Sequence, residues 1–372
     1  RRQGENDCYK GLPGMIADAL PDRYGNDLIN AWLAKTGRPV NSMNPVEQLC
    51  FIGTRAMGAL EFEPQIDQPW VENFDIELES LVHTATDMLE QRKSFEVNVD
   101  ADISEAMKEV LKIGTSAGGA RPKAVIAYNR TTGQIRSGQT KIGEGFEHWL
   151  IKLDGVSDAQ FGTSRGYGRV EMAYSDMAKE AGIEMTECRL IQEKDRAHFM
   201  IKRFDRRENG EKLHMQTWCA LEHVDFNLMG QFSYEQLFQL MRHLRMDYPQ
   251  AEQLFIRMVF NVLSRNCDDH TKNFAFLMDK AGKWRLSPAY DLCFAYRPNS
   301  VWVSQHAISL NGKRKNHTIK DFLEVAKAMN IKKPENLIEL VQVATNKWLN
   351  YAEKYSVGDD LAQHIENCRI KL

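Results

Sequence analysis

Several features are scarce in this 372-residue chain, and each scarcity argues against a class of function. Paired cysteines are missing. Cys8, Cys50, Cys188, Cys219, Cys267, Cys293 and Cys368 are scattered, odd in number and never at C-x-x-C spacing. That pattern counts against a zinc site or a disulfide framework and fits a reducing compartment, so a cytoplasmic location is expected. Long apolar runs are missing too. None approaches the roughly 20 residues that a membrane-spanning helix needs, and no membrane partner is expected. Positive charge is not in excess: 48 Lys and Arg against 51 Asp and Glu leave a net charge of −3. The whole-chain field therefore gives no drive toward nucleic acid or anionic lipid, although a local basic patch stays open. Internal repeats and low-complexity tracts are absent. Residues 1–10 are polar and are no signal peptide; the chain does not open on Met and is expected to begin inside a longer protein.

What is present reads as a globular protein of two lobes. The chain is too long for one small core, and 43% hydrophobic with 27% charged residues is ordinary. Pro21-Asp22 opens a helix that runs to about Lys35 and stops at Gly37. Residues 61–105 are acidic and read as a solvated helix with flanking loops. Strands are predicted at 123–128 and 134–136, around the turn Thr131-Thr132-Gly133, and at 147–153. A helix follows at 167–181, ending at Gly182, and then strand-like runs at 183–192, 197–204 and 213–220. The remainder reads as helical: from the capping box Ser233–Gln236 to 244, from Pro249 to about 264, and at 318–329, 335–353 and 359–369. A strand-rich first half before a helical second half predicts an α+β fold, with a ligand cleft expected between two lobes.

Four segments carry chemistry. Residues 114–123, GTSAGGARPK, precede a strand, and their small side chains let backbone N–H groups approach phosphate oxygens while Arg121 and Lys123 supply charge. Taken alone, the segment is either a flexible loop or a phosphate-binding one. Lys152, in WLIKL at 149–153, is a strand lysine flanked by apolar residues, as in the V-A-I-K context of kinase nucleotide lysines. Alternation puts Leu150 and Lys152 on one face, which is either solvent or a cleft, and Glu171 in the next helix is a possible ion-pair partner. The strongest segment is NCDDHTKN at 266–273. Asp268 and Asn273 are separated by four residues, as in the kinase pattern H-R-D-x-x-x-x-N, where the Asp takes the substrate proton and the Asn holds Mg²⁺. So many polar groups between an apolar helix and Phe274-Ala275-Phe276-Leu277 suggest a site. On chemistry alone Asp269 competes with Asp268 as the base. The fourth segment is SPAYDL at 287–292, where Asp291 is either a second Mg²⁺ ligand or the cap of a Ser-Pro turn. Together the four recur in kinase order.

These stretches, with GLPG at 11–14, KRFDR at 202–206 and SLNGKR at 309–314, resemble the HipA family of bacterial serine/threonine kinases, the toxins of type II toxin–antitoxin pairs. The resemblance spans nearly the whole chain in family order. It implies a bilobal protein-kinase-like fold, with a strand-rich N-lobe over 1–205 and an all-helical C-lobe over 206–372. It selects Asp268 as catalytic base, and gives His270 and Lys272 to phosphates or the loop, Asn273 and Asp291 to Mg²⁺, and Lys152 to the α- and β-phosphates of ATP. Tyr290 falls beside the nucleotide. Lys202, Arg203 and Phe204 would form the adenine hinge, partly through backbone groups, and Ala117, Gly118, Gly119, Ala120, Arg121 and Lys123 would cover the phosphates. Ser116 aligns with the serine that family members autophosphorylate, with Thr115 as a second hydroxyl; phosphate there would add roughly −2 charge beside the nucleotide and act as an off switch.

The implied substrates are translation-related proteins such as aminoacyl-tRNA synthetases. The implied partner is a HipB-like helix-turn-helix antitoxin, through which alone DNA would be met. Two departures stand out. Arg121-Pro122 replaces the Gln-Glu of other branches, and the small β-rich region that usually precedes GLPG is absent or mostly missing. Two competing readings are a nucleotide-binding co-repressor without kinase activity, favoured by the basic trio Lys313-Arg314-Lys315, and a lipid or small-molecule kinase.

Overall fold

The computed structural model describes residues 8–66, 75–90, 114, 121–138, 142–158, 162–163 and 166–372. Contacts gather it into two compact units that interleave along the chain: residues 19–168 with 187–214, and residues 1–18 with 169–186 and 215–372.

The first unit holds helices α1 (Arg23–Lys35), α2 (Pro45–Ile52) and α3 (Leu78–Glu90). It also holds strands β1 (Lys123–Asn129), β2 (Ile135–Ser137), β3 (Phe146–Lys152), β4 (Cys188–Glu193) and β5 (Arg196–Lys202). The strands make one antiparallel sheet in the order β2-β1-β3-β5-β4. Period-2 alternation sets its faces. In β3, Trp149 and Ile151 are fully buried while Leu150 and Lys152 on the other face are half-buried. The buried face joins Ala124, Ile126 and Met200 in a core with Leu81, Val82 and Ala85 of α3 and Tyr24 and Leu28 of α1. The acidic stretch thus contributes an amphipathic helix whose apolar stripe is buried against the sheet.

The second unit holds α4 (Tyr167–Glu180), whose first two residues count with the first unit, β6 (His214–Thr217), α5 (Trp218–Glu222), α6 (Tyr234–His243) and α7 (Tyr248–Leu263). After these come β7 (Ala275–Met278), β8 (Trp284–Leu286), α8 (Ile319–Met329), α9 (Pro334–Thr345), α10 (Trp348–Lys354) and α11 (Asp359–Cys368). The capping box opening α6 is present: Gln236 N–H donates to Ser233 Oγ, and Ser233 N–H donates to Gln236 Oε1. The last turns of α7 are buried on every side. Phe255, Met258, Val259, Phe260 and Val262 are at 0%, and the polar Arg257 and Asn261 are enclosed with them.

Three local expectations change. The half expected to be all helical also carries a three-stranded sheet in the order β8-β7-β6, because the apolar run after residue 273 pairs with Trp284–Leu286 rather than coiling. The strand expected over 213–220 ends at Thr217. There the Asp18 carboxylate accepts both the Thr217 N–H and its hydroxyl at 2.7 Å, and Thr217 caps α5. The helix expected over 335–353 breaks at Asn346-Lys347. The bend buries Trp348 completely and lets its Nε1–H donate to Ala362 O at 2.9 Å.

No helix among the described residues is long and apolar enough to cross a membrane. The start of α4 lies tightly on β5: a Cβ on Gly168 would stand 2.0 Å from Ala197 O. Gly168→Ala is expected to lower stability by about 1–3 kcal/mol through overpacking. A urea midpoint unchanged from wild type would contradict that contact.

Candidate active site

The loop 266–273 leaves α7 through Arg265, whose φ of 57° turns the chain away from the helix axis. Four anchors then fix it. Asn266 Nδ2 donates to Asn261 Oδ1 at 2.9 Å, reaching back to α7. Cys267 N–H donates to Ala295 O, and Cys267 O accepts from Ala307 N–H. Thr271 Oγ1 donates to Val224 O at 2.7 Å, just beyond α5. A short 3₁₀ turn, Thr271–Asn273, closes the loop, and Asn273 Nδ2 donates to Asp268 O at 2.7 Å.

The two adjacent aspartates have opposite environments. The side chain of Asp269 is fully buried and accepts from Tyr234 Oη at 2.8 Å, from His306 Nδ1 at 2.9 Å and from Ala307 N–H at 2.8 Å. Tyr234 Oη in turn accepts from Asn261 Nδ2 at 3.0 Å. Burial opposes a charged His306, but the Asp269 carboxylate, with Cys267 at 3.8 Å, outweighs it and raises the imidazole to about 10. The 2.9 Å contact and this upward shift favour an imidazolium paired with Asp269. Burial and the same carboxylate push the Tyr234 phenol well above its usual value. Asp268, by contrast, has half its side chain in solvent, with one oxygen 3.9 Å from His270 Nε2. The other ring nitrogen, His270 Nδ1, is buried without a hydrogen-bond partner. Phe226 lies beside the loop, 5.4 Å from the His270 ring centroid and 5.0 Å from Lys272 Nζ.

The segment 287–292 is fixed from two sides. Arg257 Nη2 donates to Ser287 O at 2.7 Å, and Tyr290 Oη donates to Lys272 O at 2.6 Å, tying this segment to the loop. Arg257 is wholly buried, which lowers its guanidinium to about 10, and its Nε has no hydrogen-bond partner. Asp291 sits at φ 55°, in the left-handed region, where Asp is among the better-tolerated side chains. Asn273 and Asp291 line one small pocket with Arg257, Asn261, Asn266 and Tyr290. Because the Asn273 amide nitrogen is used, its oxygen is left to accept a cation, and beside the Asp291 carboxylate this donor set suits Mg²⁺. Among the described residues no group of three or more His, Cys, Asp and Glu side chains forms a metal cluster, and a two-oxygen site of this kind needs none.

The other candidates lie in the first unit. Lys123 and Lys152 face each other across β1 and β3; Lys123 is buried, and Lys152 Nζ stands 5.8 Å from the Phe199 ring centroid. Arg121 lies 4.4 Å over the Tyr167 ring. Lys202 Nζ is 2.7 Å from Glu147 Oε1. Arg203 is buried with Asp205 at 2.6 Å, where Arg206 and the Gly58 N–H also converge. Arg203, Asp205 and Arg206 of the KRFDR motif thus form a buried ion cluster, beside the half-buried Phe204. Thr115, Ser116, Ala117, Gly118, Gly119 and Ala120 lie outside the described residues.

Sequence reasoning missed His306, Tyr234, Asn261 and Arg257. Asn261 and Arg257 had one available signal, as polar residues inside an otherwise apolar helix; His306 had none, standing 37 residues from its partner. Within the basic trio, Lys313 Nζ pairs with Asp321 at 2.8 Å and Arg314 Nε donates to His306 O at 2.6 Å, while Lys313 and Lys315 stay exposed.

Two family models match the chain, one described as HipA-like C-terminal domain over residues 115–348 and one as HipA N-terminal domain over residues 2–63. The second match begins ahead of Gly11, so part of the family's N-terminal domain is present; residues 8–66 contain helices and turns but no strand. The HipA of the Shewanella oneidensis MR-1 toxin–antitoxin system, solved with HipB and operator DNA, gives a TM-score of 0.65 at 16% identity, covering 95% of this chain and 82% of that one. At that identity the likeness is one of fold. The Helicobacter pylori proinflammatory kinase CtkA gives a TM-score of 0.35 at 14% identity, over 59% of this chain and 92% of that one, and carries no weight. A Haemophilus influenzae protein named "Putative kinase" is 27% identical over 134 residues, 32% of this chain and 39% of that relative's length.

The His306 pair has a pH signature. A histidine raised from 6.5 to about 10 on folding contributes stability that is complete below pH 6.5 and lost as pH rises through 10. Urea midpoints of wild type should fall more steeply between pH 7 and 10 than those of His306→Gln. Parallel slopes would contradict a charged His306.

Proposed function

The chain belongs to the HipA family, and from that premise we propose that it is a serine/threonine protein kinase, using ATP and Mg²⁺, that acts as the toxin of a type II toxin–antitoxin pair. The observation that carries the reading is the split between Asp268 and Asp269. One carboxylate is consumed by a buried ion pair, and the other is held half-exposed on the loop so fixed, with Asn273 bonded to its main-chain oxygen. A general base must reach solvent-borne substrate and be fixed in place, and Asp268 meets both conditions. On this reading Asp268 orients the acceptor hydroxyl and takes its proton. His270 and Lys272 steady the loop and the phosphates. Mg²⁺, when held by Asn273 and Asp291, neutralises charge on the transferring phosphoryl group. Lys152 contacts the α- and β-phosphates, Arg121 and Lys123 flank the loop covering them, and the end of β5 receives the adenine.

The substrate class follows from the family: a protein of the translation machinery, such as an aminoacyl-tRNA synthetase. The partner is a HipB-like helix-turn-helix antitoxin, which brings operator DNA to the complex. The Shewanella oneidensis protein was solved with HipB and operator DNA. Phosphorylation of Ser116, or of Thr115 beside it, would repel the loop from the nucleotide and switch the enzyme off.

Incubating the chain with Mg²⁺ and γ-labelled ATP, followed by mass spectrometry, tests this. Label is expected on Ser116 or Thr115 and on a protein acceptor, falling about 10²–10⁴-fold in Asp268→Ala. Nucleotide binding without transfer to any protein would favour the co-repressor reading instead.

A further inference from the structure

We propose that Cys8 and Cys219 are a redox modification site that closes into a reversible disulfide. The two residues are 211 apart in sequence, yet their sulfurs lie 3.6 Å from each other, in van der Waals contact. All seven cysteines are free thiols in the structure. Closing this pair to the covalent distance of about 2 Å shortens the gap between the sulfurs by about 1.6 Å.

Both partners are held in place by other groups. Cys219 sits in α5 and is 2% exposed. Tyr9 Oη donates to its carbonyl oxygen at 2.8 Å and stands 3.5 Å from its sulfur. Cys8 N–H donates to Asp225 Oδ2 at 3.4 Å, the Tyr9 ring lies 4.4 Å from that of His223, and Gly14 N–H donates to His223 Nε2 at 2.8 Å. The N-terminal segment is therefore laid against α5 and the residues just past its end by four contacts besides those to sulfur. Chance proximity of two loose cysteines would show none of them. The hydrogen bond from Cys8, opposed by burial and helped by Tyr9, holds the Cys219 thiol below its usual value, and the same bond holds Cys8 above. Access sets the order of attack: half-buried Cys8 is the sulfur an oxidant reaches, slowed by its raised thiol pKa, and buried Cys219, in contact with it, attacks next.

With hydrogen peroxide as oxidant the chemistry closes. The Cys8 thiol, losing its proton, attacks one peroxide oxygen; the O–O bond breaks, giving a sulfenic acid and one water. The Cys219 sulfur then attacks the Cys8 sulfur, the S–O bond breaks, and hydroxide leaves with the Cys219 proton as a second water. Two thiols lose two electrons and two protons, and peroxide is reduced to water. A reducing compartment would keep the bond transient, as suits regulation rather than structure. The bond would also act near the candidate catalytic loop. Trp218 N–H, at the start of α5, donates to Phe274 O at 2.8 Å, and Val224 O, just past its end, accepts from Thr271. The inference does not depend on the kinase reading.

Titrating the native full chain with hydrogen peroxide, blocking free thiols and mapping disulfides by mass spectrometry tests it. The Cys8–Cys219 linkage should be the first to form, should be reversed by dithiothreitol and should be lost in Cys8→Ser and Cys219→Ser. Oxidised wild type should also melt above reduced wild type, with no such shift in Cys8→Ser. Because Cys219 is buried, Cys8→Ser is the decisive variant should Cys219→Ser fold poorly. Oxidation that traps sulfenic acid on other cysteines without this linkage, or a linkage that forms only in denaturant, would overturn the proposal.

Discussion

A carboxylate cannot be enclosed in a protein core unless its charge is met, and Asp269 is enclosed completely. Its three donors come from two separate stretches: Tyr234 at the start of α6, and the adjacent His306 and Ala307 in the chain beyond β8. Asn261 on α7 joins through Tyr234 and holds Asn266 through its other end. Four stretches of the second unit are thereby committed to one oxygen pair, and the loop 266–273 takes its shape from that commitment. A buried ion pair is a poor source of net stability, but breaking one by removing a single partner is strongly destabilising. Such a pair therefore specifies a conformation more than it strengthens the fold.

Everything at the candidate site hangs from this anchor. With Asp269 turned inward, the chain presents Asp268 outward one residue earlier, and the 3₁₀ turn returns Asn273 to the main-chain oxygen of Asp268. The second acidic segment is brought into register by two main-chain bonds, Arg257 to Ser287 and Tyr290 to Lys272. Those bonds set where Asp291 stands without using its carboxylate. Polar residues on α7 that look misplaced in an apolar helix are the supports of the site.

Much of this was legible in the sequence because it is local. The capping box at Ser233, the alternation through Trp149 and Ile151, and the spacing of Asp268 and Asn273 are all signals within a few residues, and they place α6, β3 and the loop. The failures are long-range. The break at Asn346-Lys347 is driven by burial of Trp348, and the end of the strand at Thr217 by Asp18, some 200 residues away. KRFDR reads as a motif, yet Arg203, Asp205 and Arg206 are enclosed as an ion cluster with Gly58, which no local pattern reveals. Asp268 is selected over Asp269 by its spacing to Asn273 and by the family register, whereas the partners that enclose Asp269 lie 35 residues upstream and 37 downstream, beyond any local signal.

The proposed division of labour between these two neighbouring aspartates, one chemical and one structural, predicts different costs when each is neutralised. Measuring urea midpoints for Asp268→Asn and Asp269→Asn side by side tests it most directly. Asp268→Asn should stay within about 0.5 kcal/mol of wild type, as an exposed substitution does. Asp269→Asn should lose on the order of 3–5 kcal/mol by stranding a buried imidazolium. Equal midpoints for the two variants, or a larger loss in Asp268→Asn, would contradict it.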